Sequence, residues 1–206
     1  TDMGLYKTHI GYAYTYGDGG EVSCNNLCEA VSLLFGGVPI NRYVVTNQDS
    51  MPYINELAGG VTVTVPNDDL EEKYPELYKG AQVTLDDTTI KPFLQYRDTT
   101  IDFSNAGRME RQKTYALAYA DKLKSLNQSQ LEKMWESLDS MKDYLQTSIT
   151  RNQYLGLVSF LKKTELTDDS FIQLEGQDQA GELHDEFYPD EEALRQLIID
   201  LFYEKV

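Results

Sequence analysis

The chain is poor in the residues that build metal and redox centres. Its 206 residues include two cysteines, Cys24 and Cys28, and two histidines, His9 and His184. Local spacing assembles no zinc-type cluster from them. No base–nucleophile pair can be cited for either histidine, so both read as surface or hydrogen-bonded structural residues. Arginine is scarce as well. Six arginines stand in a chain of formal net charge −16, with no basic stripe to track a phosphate backbone, so nucleic acid is excluded as a partner. No apolar run reaches the roughly 20 residues of a membrane-spanning helix, and no signal peptide is read. Thr1-Asp2-Met3 is no natural start and reads as a fragment of a longer chain. What is present is globular in kind: 41% hydrophobic and 25% charged residues, enough to fold despite the acidity.

Hydrophobic periodicity supplies the elements. Residues 7–16 carry repeated aromatics and end at the turn former Gly17-Asp18-Gly19-Gly20. Cys24, Leu27, Cys28, Val31, Leu34 and Phe35 recur at helical spacing, predicting a helix over 21–35 with that face buried and Gly36-Gly37 as its stop. Both cysteines then read as small buried hydrophobes; a disulfide across one turn fits the Cβ directions poorly. Residues 42–47 read as a strand, 51–57 as a short helix and 82–85 as a short strand. Val61 to Val65 alternates strictly and predicts a strand with its valines on one side. Residues 67–79 read as an irregular acidic excursion, and 88–96 as a helix or turn. Ser104 reads as the N-cap of a long helix to about Leu126, with Met109, Ala116, Ala120 and Leu123 on its apolar side. Helices follow at 130–145 and 151–163, then a strand at 170–174 and a polar loop at 176–186. Pro189 and three acids open the final helix. Interleaved helices and strands predict an α/β layered fold.

The densest chemistry lies at Tyr96-Arg97-Asp98 and Gly107-Arg108-Met109-Glu110-Arg111-Gln112. Three of the six arginines fall here. Arg108, Arg111, Gln112 and Tyr115 share one helix face in the first turns of the helix, where free N–H groups and the dipole favour an anion. Guanidinium forks bind phosphate bidentately and keep their charge. Two readings stay open: a pyrophosphate site, or surface salt bridges with Asp98, Asp102 and Glu110.

The order of motifs resembles the LytR–CpsA–Psr family. The resemblance rests on Lys7-Thr8-His9-Ile10-Gly11-Tyr12-Ala13-Tyr14-Thr15-Tyr16-Gly17, on Gly36-Gly37-Val38-Pro39-Ile40-Asn41-Arg42-Tyr43-Val44-Val45, and on 54–66. It continues through 77–80 with Leu85 and Gly107-Arg108-Met109-Glu110-Arg111-Gln112, and ends at Phe187 to Leu194. It spans essentially the whole chain. The resemblance implies a single domain over 1–206, with 1–126 as the core bearing the arginine site and 127–206 as its helical C-terminal part. It implies a mixed central β-sheet sandwiched between helical layers, with an apolar tunnel for a polyprenyl lipid. The implied activity is transfer of a glycopolymer, such as teichoic acid or capsule, from a polyprenyl-pyrophosphate carrier to peptidoglycan, outside the cytoplasm and from a membrane-anchored parent protein.

In that chemistry Arg97, Arg108 and Arg111 would hold the pyrophosphate, Gln112 would orient a phosphate oxygen or support an arginine, and an aspartate-held Mg²⁺ would help neutralise it. The chain departs from the family in three places. The family's membrane helix and first strands, with an acidic metal-binding residue, are not matched. Gln95 stands where many members have an arginine, and Asn105 where many have aspartate, so no metal ligand is assigned; Asp102 is the carboxylate that could substitute. Gln95 and Asn105 remain substrate-binding candidates. Their neutrality keeps two alternatives in view: a binding module for polyprenyl phosphate or cell-wall polymer without turnover, and a pyrophosphatase-like hydrolase.

Overall fold

Strict alternation at 61–65 gives the clearest element. In the computed structural model, which describes residues 9–100, 104–181 and 185–203, Val61, Val63 and Val65 are buried while Thr62 and Thr64 face outward. The elements in chain order are α1 (Tyr12–Thr15), α2 (Glu21–Leu34), β1 (Val44–Thr46), α3 (Met51–Leu57), β2 (Val61–Thr64), β3 (Gln82–Leu85) and α4 (Ile90–Gln95). They continue with α5 (Asn105–Ser125), α6 (Gln128–Ser140), β4 (Leu145–Thr147), α7 (Arg151–Leu161), β5 (Gly176–Ala180), β6 (Asp185–Pro189) and α8 (Glu191–Phe202). The fold is mixed α/β, as the interleaving predicts. Its strands pair two by two among the described residues, as β1 with β4, β2 with β3 and β5 with β6.

The chain forms two compact units. The larger runs from Thr46 to Leu145 and from Ile149 to Ile172. Antiparallel β2 and β3 pair from Val61↔Leu85 to Thr64↔Gln82. Their inner face packs on Leu70, Leu77, Ile90 and Phe93, all fully buried. Each such side chain contributes roughly 1.5–3 kcal/mol by leaving water. Leu70 and Leu77 anchor the acidic 67–79 excursion from within, which its surface-like composition conceals. Asn55 of α3 is also buried; its Nδ2 donates to the Leu85 carbonyl (2.7 Å) and its Oδ1 accepts from the Val61 amide (3.2 Å). It thereby pins the start of β2 to the end of β3. Gly59 and Gly60, at φ 82° and 76°, make the reversal from α3 into β2 that a β-carbon would strain. Helices α6 and α7 both begin on capping boxes, Asn127 with Gln130 and Thr150 with Gln153. Trp135 of α6 lies against Tyr154 of α7, ring centroids 5.4 Å apart.

The smaller unit comprises the chain through Val45, residues Gln146–Ser148 and the chain from Gln173. Asp18 accepts from the Gly20 amide (2.7 Å) ahead of α2, and the Ser23 hydroxyl accepts from the Gly19 amide (2.8 Å). A β-carbon at Gly17 would lie 2.3 Å from that hydroxyl oxygen, so glycine is required there. Cys24 is buried and directs its thiol at Gln146 Oε1 (3.4 Å), while Gln146 Nε2 donates to the Gly19 carbonyl (2.8 Å). Both cysteines are free thiols. Burial pushes the Cys24 thiol pKa up, with Cys28 adding to it.

Several sequence expectations are corrected. Of the α2 face, only Cys24 is fully buried; Leu27, Cys28, Val31 and Leu34 are half-buried. The helix expected over 130–145 stops at Ser140, and Leu145 enters β4. No strand forms at 170–174; Asp168–Ser170 is a single 3-10 turn. The expected polar loop at 176–186 is instead largely the β5–β6 hairpin, paired from Gly176↔Pro189 to Ala180↔Asp185. Every β5 side chain is exposed, so backbone pairing holds the strand and no apolar alternation announces it. Pro189 ends β6 rather than opening α8, whose N-cap is Asp190, accepting from the amides of Glu192 and Ala193. His184 lies outside the described residues; His9 is exposed, its Nδ1 accepting from the Gly11 amide (3.2 Å).

Candidate functional site

All candidate site residues lie in the larger unit, on α4, the segment after it and the first turns of α5. Ser104 does not cap α5 through its side chain. Its hydroxyl donates instead to the Asp98 carbonyl (2.6 Å), tying the segment that carries Arg97 to the start of α5. The packed side of α5 is only partly the expected one, with Leu123 half-buried. Met109 and Ala116 are exposed, whereas Arg111 and Ala120 are buried and Tyr115 and Tyr119 pack on the core. Burial pushes both tyrosine hydroxyl pKa values strongly up.

Arg111 is fully buried, and four of its five N–H groups are spent within the protein. Nε donates to the Phe93 carbonyl (2.9 Å), Nη1 to Asn67 Oδ1 (3.0 Å) and Asp69 Oδ2 (2.5 Å), and Nη2 to the Tyr96 carbonyl. Gln112 Nε2 donates to the Leu94 carbonyl (2.9 Å). Phe93, Leu94 and Tyr96 lie at the C-terminal end of α4, where helical carbonyls lack intrahelical partners and a cation is favoured. Arg111 and Gln112 together complete that end.

Arg108 is half-buried and held differently. Its Nη2 donates to Asn105 Oδ1 (2.6 Å), while its buried Nε has no partner among the described residues. Desolvation lowers the Arg108 pKa from its ordinary value, and the like charges of Arg97 and Arg111 lower it further. Arg108 therefore lies within electrostatic reach of both other arginines. Arg97 is half-buried and pairs with no carboxylate among the described residues. Lys73 stands over the neighbouring Tyr96 ring, 4.8 Å from its centroid. Its pKa is raised, first by the Tyr96 hydroxyl and more weakly by Asp98.

The remaining candidates divide. Asn105 joins the cluster as the support of Arg108, whereas Gln95 turns away, its Nε2 3.2 Å from Met51 Sδ. Of the carboxylates proposed as salt-bridge partners, Asp98 accepts from the Thr100 amide (2.9 Å) and hydroxyl (2.6 Å), and Glu110 accepts from Asn67 Nδ2 (2.9 Å). Neither pairs with an arginine among the described residues, and Asp102 lies outside them. Asn67 and Asp69 were not legible as site residues, because their partners on α5 are 40 to 44 positions away and only the fold brings them together. Gly107 is the one local trace of the contact: a β-carbon there would lie 1.9 Å from Asp69 Oδ2.

Among the described residues the donors for a Mg²⁺ are not assembled. Asp69 is committed to Arg111, Asn105 is a neutral ligand committed to Arg108, and no group of three or more His, Cys, Asp or Glu converges among the described residues. No helix is long and apolar enough to cross a membrane among the described residues. A concavity of ≈ 690 Å³ lies over the β5–β6 hairpin, lined by 173–178 and 187–190, and includes none of the arginines.

A half-buried cationic cluster thus stands at the head of a long helix in a mixed α/β fold. Residues 3–200 match the LytR_cpsA_psr family model, so the chain belongs to the LytR–CpsA–Psr family, whose members serve cell-wall glycopolymer transfer at the cell envelope. Solved structures share the fold. TagV of Bacillus subtilis superposes with a TM-score of 0.71 at 22% identity, covering 97% of this chain and 76% of that one. TagU of the same organism gives a TM-score of 0.67 at 17% identity, covering 100% and 81%. TagT bound to LIIa-WTA gives 0.70 at 21% identity, covering 96% and 72%. No curated protein sequence matches the chain.

Proposed function

We propose that this chain binds the pyrophosphate of a polyprenyl-linked glycopolymer at Arg97 and Arg108 and transfers the polymer to a hydroxyl of peptidoglycan. The observation carrying this reading is Arg108: a cation partly removed from water, repelled by two neighbouring cations, with one buried N–H unpartnered. Such an arrangement is costly until an anion fills it, which is what a phosphate site stores. The teichoic-acid ligand borne by the related TagT structure agrees with this substrate class.

In the reaction, the acceptor oxygen bonds to the phosphorus that carries the polymer. The bond from that phosphorus to the polyprenyl phosphate breaks, and the hydroxyl proton leaves to solvent. The arginines stabilise the charge growing on the departing phosphate. No described side chain acts as a covalent nucleophile in this scheme.

Titration with a labelled polyprenyl pyrophosphate tests the site. Arg108→Ala should weaken binding by about 1.5–3 kcal/mol, the scale of a charge-assisted hydrogen bond. Arg108→Lys should recover only part, lacking the planar fork. Equal binding by parent and Arg108→Ala would overturn the assignment. The neutral Gln95 and Asn105 favour, as a second reading, a module that binds without turnover. Release of polyprenyl phosphate in the presence of peptidoglycan, measured with and without Mg²⁺, separates the two.

A further inference from the structure

We propose that Asn67 and Asp69 are positioning residues for the anion site, acting through Arg111. This rests on the anion-site reading above and extends it to a segment with no other assigned role. Asn67 and Asp69 follow β2 and reach the first turns of α5. Asn67 uses both amide hydrogens there, on the Gly107 carbonyl (3.0 Å) and Glu110 Oε2 (2.9 Å), and offers its oxygen to Arg111 Nη1 (3.0 Å). Asp69 takes the same Nη1 at 2.5 Å. The other edge of the guanidinium grips the Phe93 and Tyr96 carbonyls. Arg111 is thus a rigid fork with its Nη1 held by the 67–69 segment, its Nη2 holding the carbonyl that precedes Arg97 and its Nε that of Phe93.

The network anchors the backbone beside each of the two cations. Arg97 follows directly on Tyr96, whose carbonyl is held; Arg108 follows directly on Gly107, whose carbonyl is held by Asn67. One network therefore sets the spacing between the two cations left to meet a ligand. Arg111 itself has a single N–H remaining and is buried, so its part is to position rather than to contact. Gly107 keeps the network closed, since any β-carbon there collides with Asp69.

The test uses the sign of an effect. Asp69 is a carboxylate beside an anion site. If it acted only through its charge, Asp69→Ala would tighten binding of an anion. If it positions, Asp69→Ala loosens binding although a negative charge has been removed, and Asp69→Asn, which keeps an acceptor oxygen, restores it. With geranyl pyrophosphate as the probe in calorimetry, Asp69→Ala should raise Kd about 5–10-fold and Asn67→Ala should do likewise, while Asp69→Asn stays within about 2-fold of the parent. The Arg111 Nε–H resonance should be slowly exchanging in the parent and in Asp69→Asn, and fast in Asp69→Ala. Equal or tighter binding by Asp69→Ala overturns the proposal. A parent that fails to bind geranyl pyrophosphate while keeping the slowly exchanging resonance overturns the anion-site reading and, with it, the positioning role, but leaves the Arg111 network standing. A resonance that exchanges fast in the parent shows that the network itself does not form.

Discussion

Asn55 is the polar residue on which the larger unit's packing turns. It is 2% exposed, and beyond its two backbone partners it takes the Tyr115 hydroxyl at 3.3 Å. Asn55→Ala would leave a buried amide and a buried carbonyl without partners, at about 1–3 kcal/mol for each group. A loss of roughly 3 kcal/mol in denaturant unfolding is expected, with Asn55→Asp no better, because it cannot donate to the Leu85 carbonyl. At Asp86 the relevant variable is pH. Hydrogen bonds from Thr89 and Thr88 hold its carboxyl at about 2, below the ordinary 3.8. A depressed carboxylate stabilises the fold above its unfolded pKa and loses that contribution as pH falls through the folded one. Stability should therefore drop between pH 3.8 and about 2, and the drop should be shallower in Asp86→Ala. A carboxyl-carbon NMR titration reads the pKa directly. At this scale the sequence showed Arg108 and Arg111 near one another on α5, because helical spacing is local. It did not show that Arg111 faces inward, since its buried partners at 67, 69, 93 and 96 are contacts of the fold.

Among the elements, β2 was read almost residue for residue, and β5 was missed. The difference is physical. The inward valines of β2 carry a period of two because one face meets a core, whereas β5 meets water on every side chain and has no period to detect. The β2 assignment makes a paired prediction. Val63→Thr buries a hydroxyl with no partner and should cost about 1–3 kcal/mol in thermal or urea unfolding. Thr62→Val, on the exposed face where the Thr62 and Thr64 side chains alternate with the valines, should change stability by less than about 0.5 kcal/mol. Equal losses at both positions would show that the strand is not one-faced. The start of α5 teaches a related lesson. Serine before a helical pattern is a sound N-terminal signal, but here the hydroxyl spends itself on Asp98 to close the segment bearing Arg97.

Over the whole molecule, a net charge of −16 surrounds a small cationic cluster. An anionic ligand approaches against the long-range field and is held only at short range. Salt screens the first over about 10 Å at 0.1 M and touches the second less. The association rate for geranyl pyrophosphate should accordingly rise from low to moderate ionic strength, as read by stopped flow, where a basic binder would show a fall. The two-unit organisation was not legible from composition, because the chain passes between the units at Val45, Leu145, Ser148 and Ile172 with no shift in residue type to mark the crossings. The stacking of Trp135 on Tyr154 has an optical consequence. It is the chain's single tryptophan, held between α6 and α7. Emission excited at the red edge therefore comes from one indole, whose ring partner is Tyr154 of α7. It is a clean reporter of whether α6 and α7 remain docked in any of these variants, and it will stay dark to ligand arrival, so affinities have to be read by heat, label or resonance.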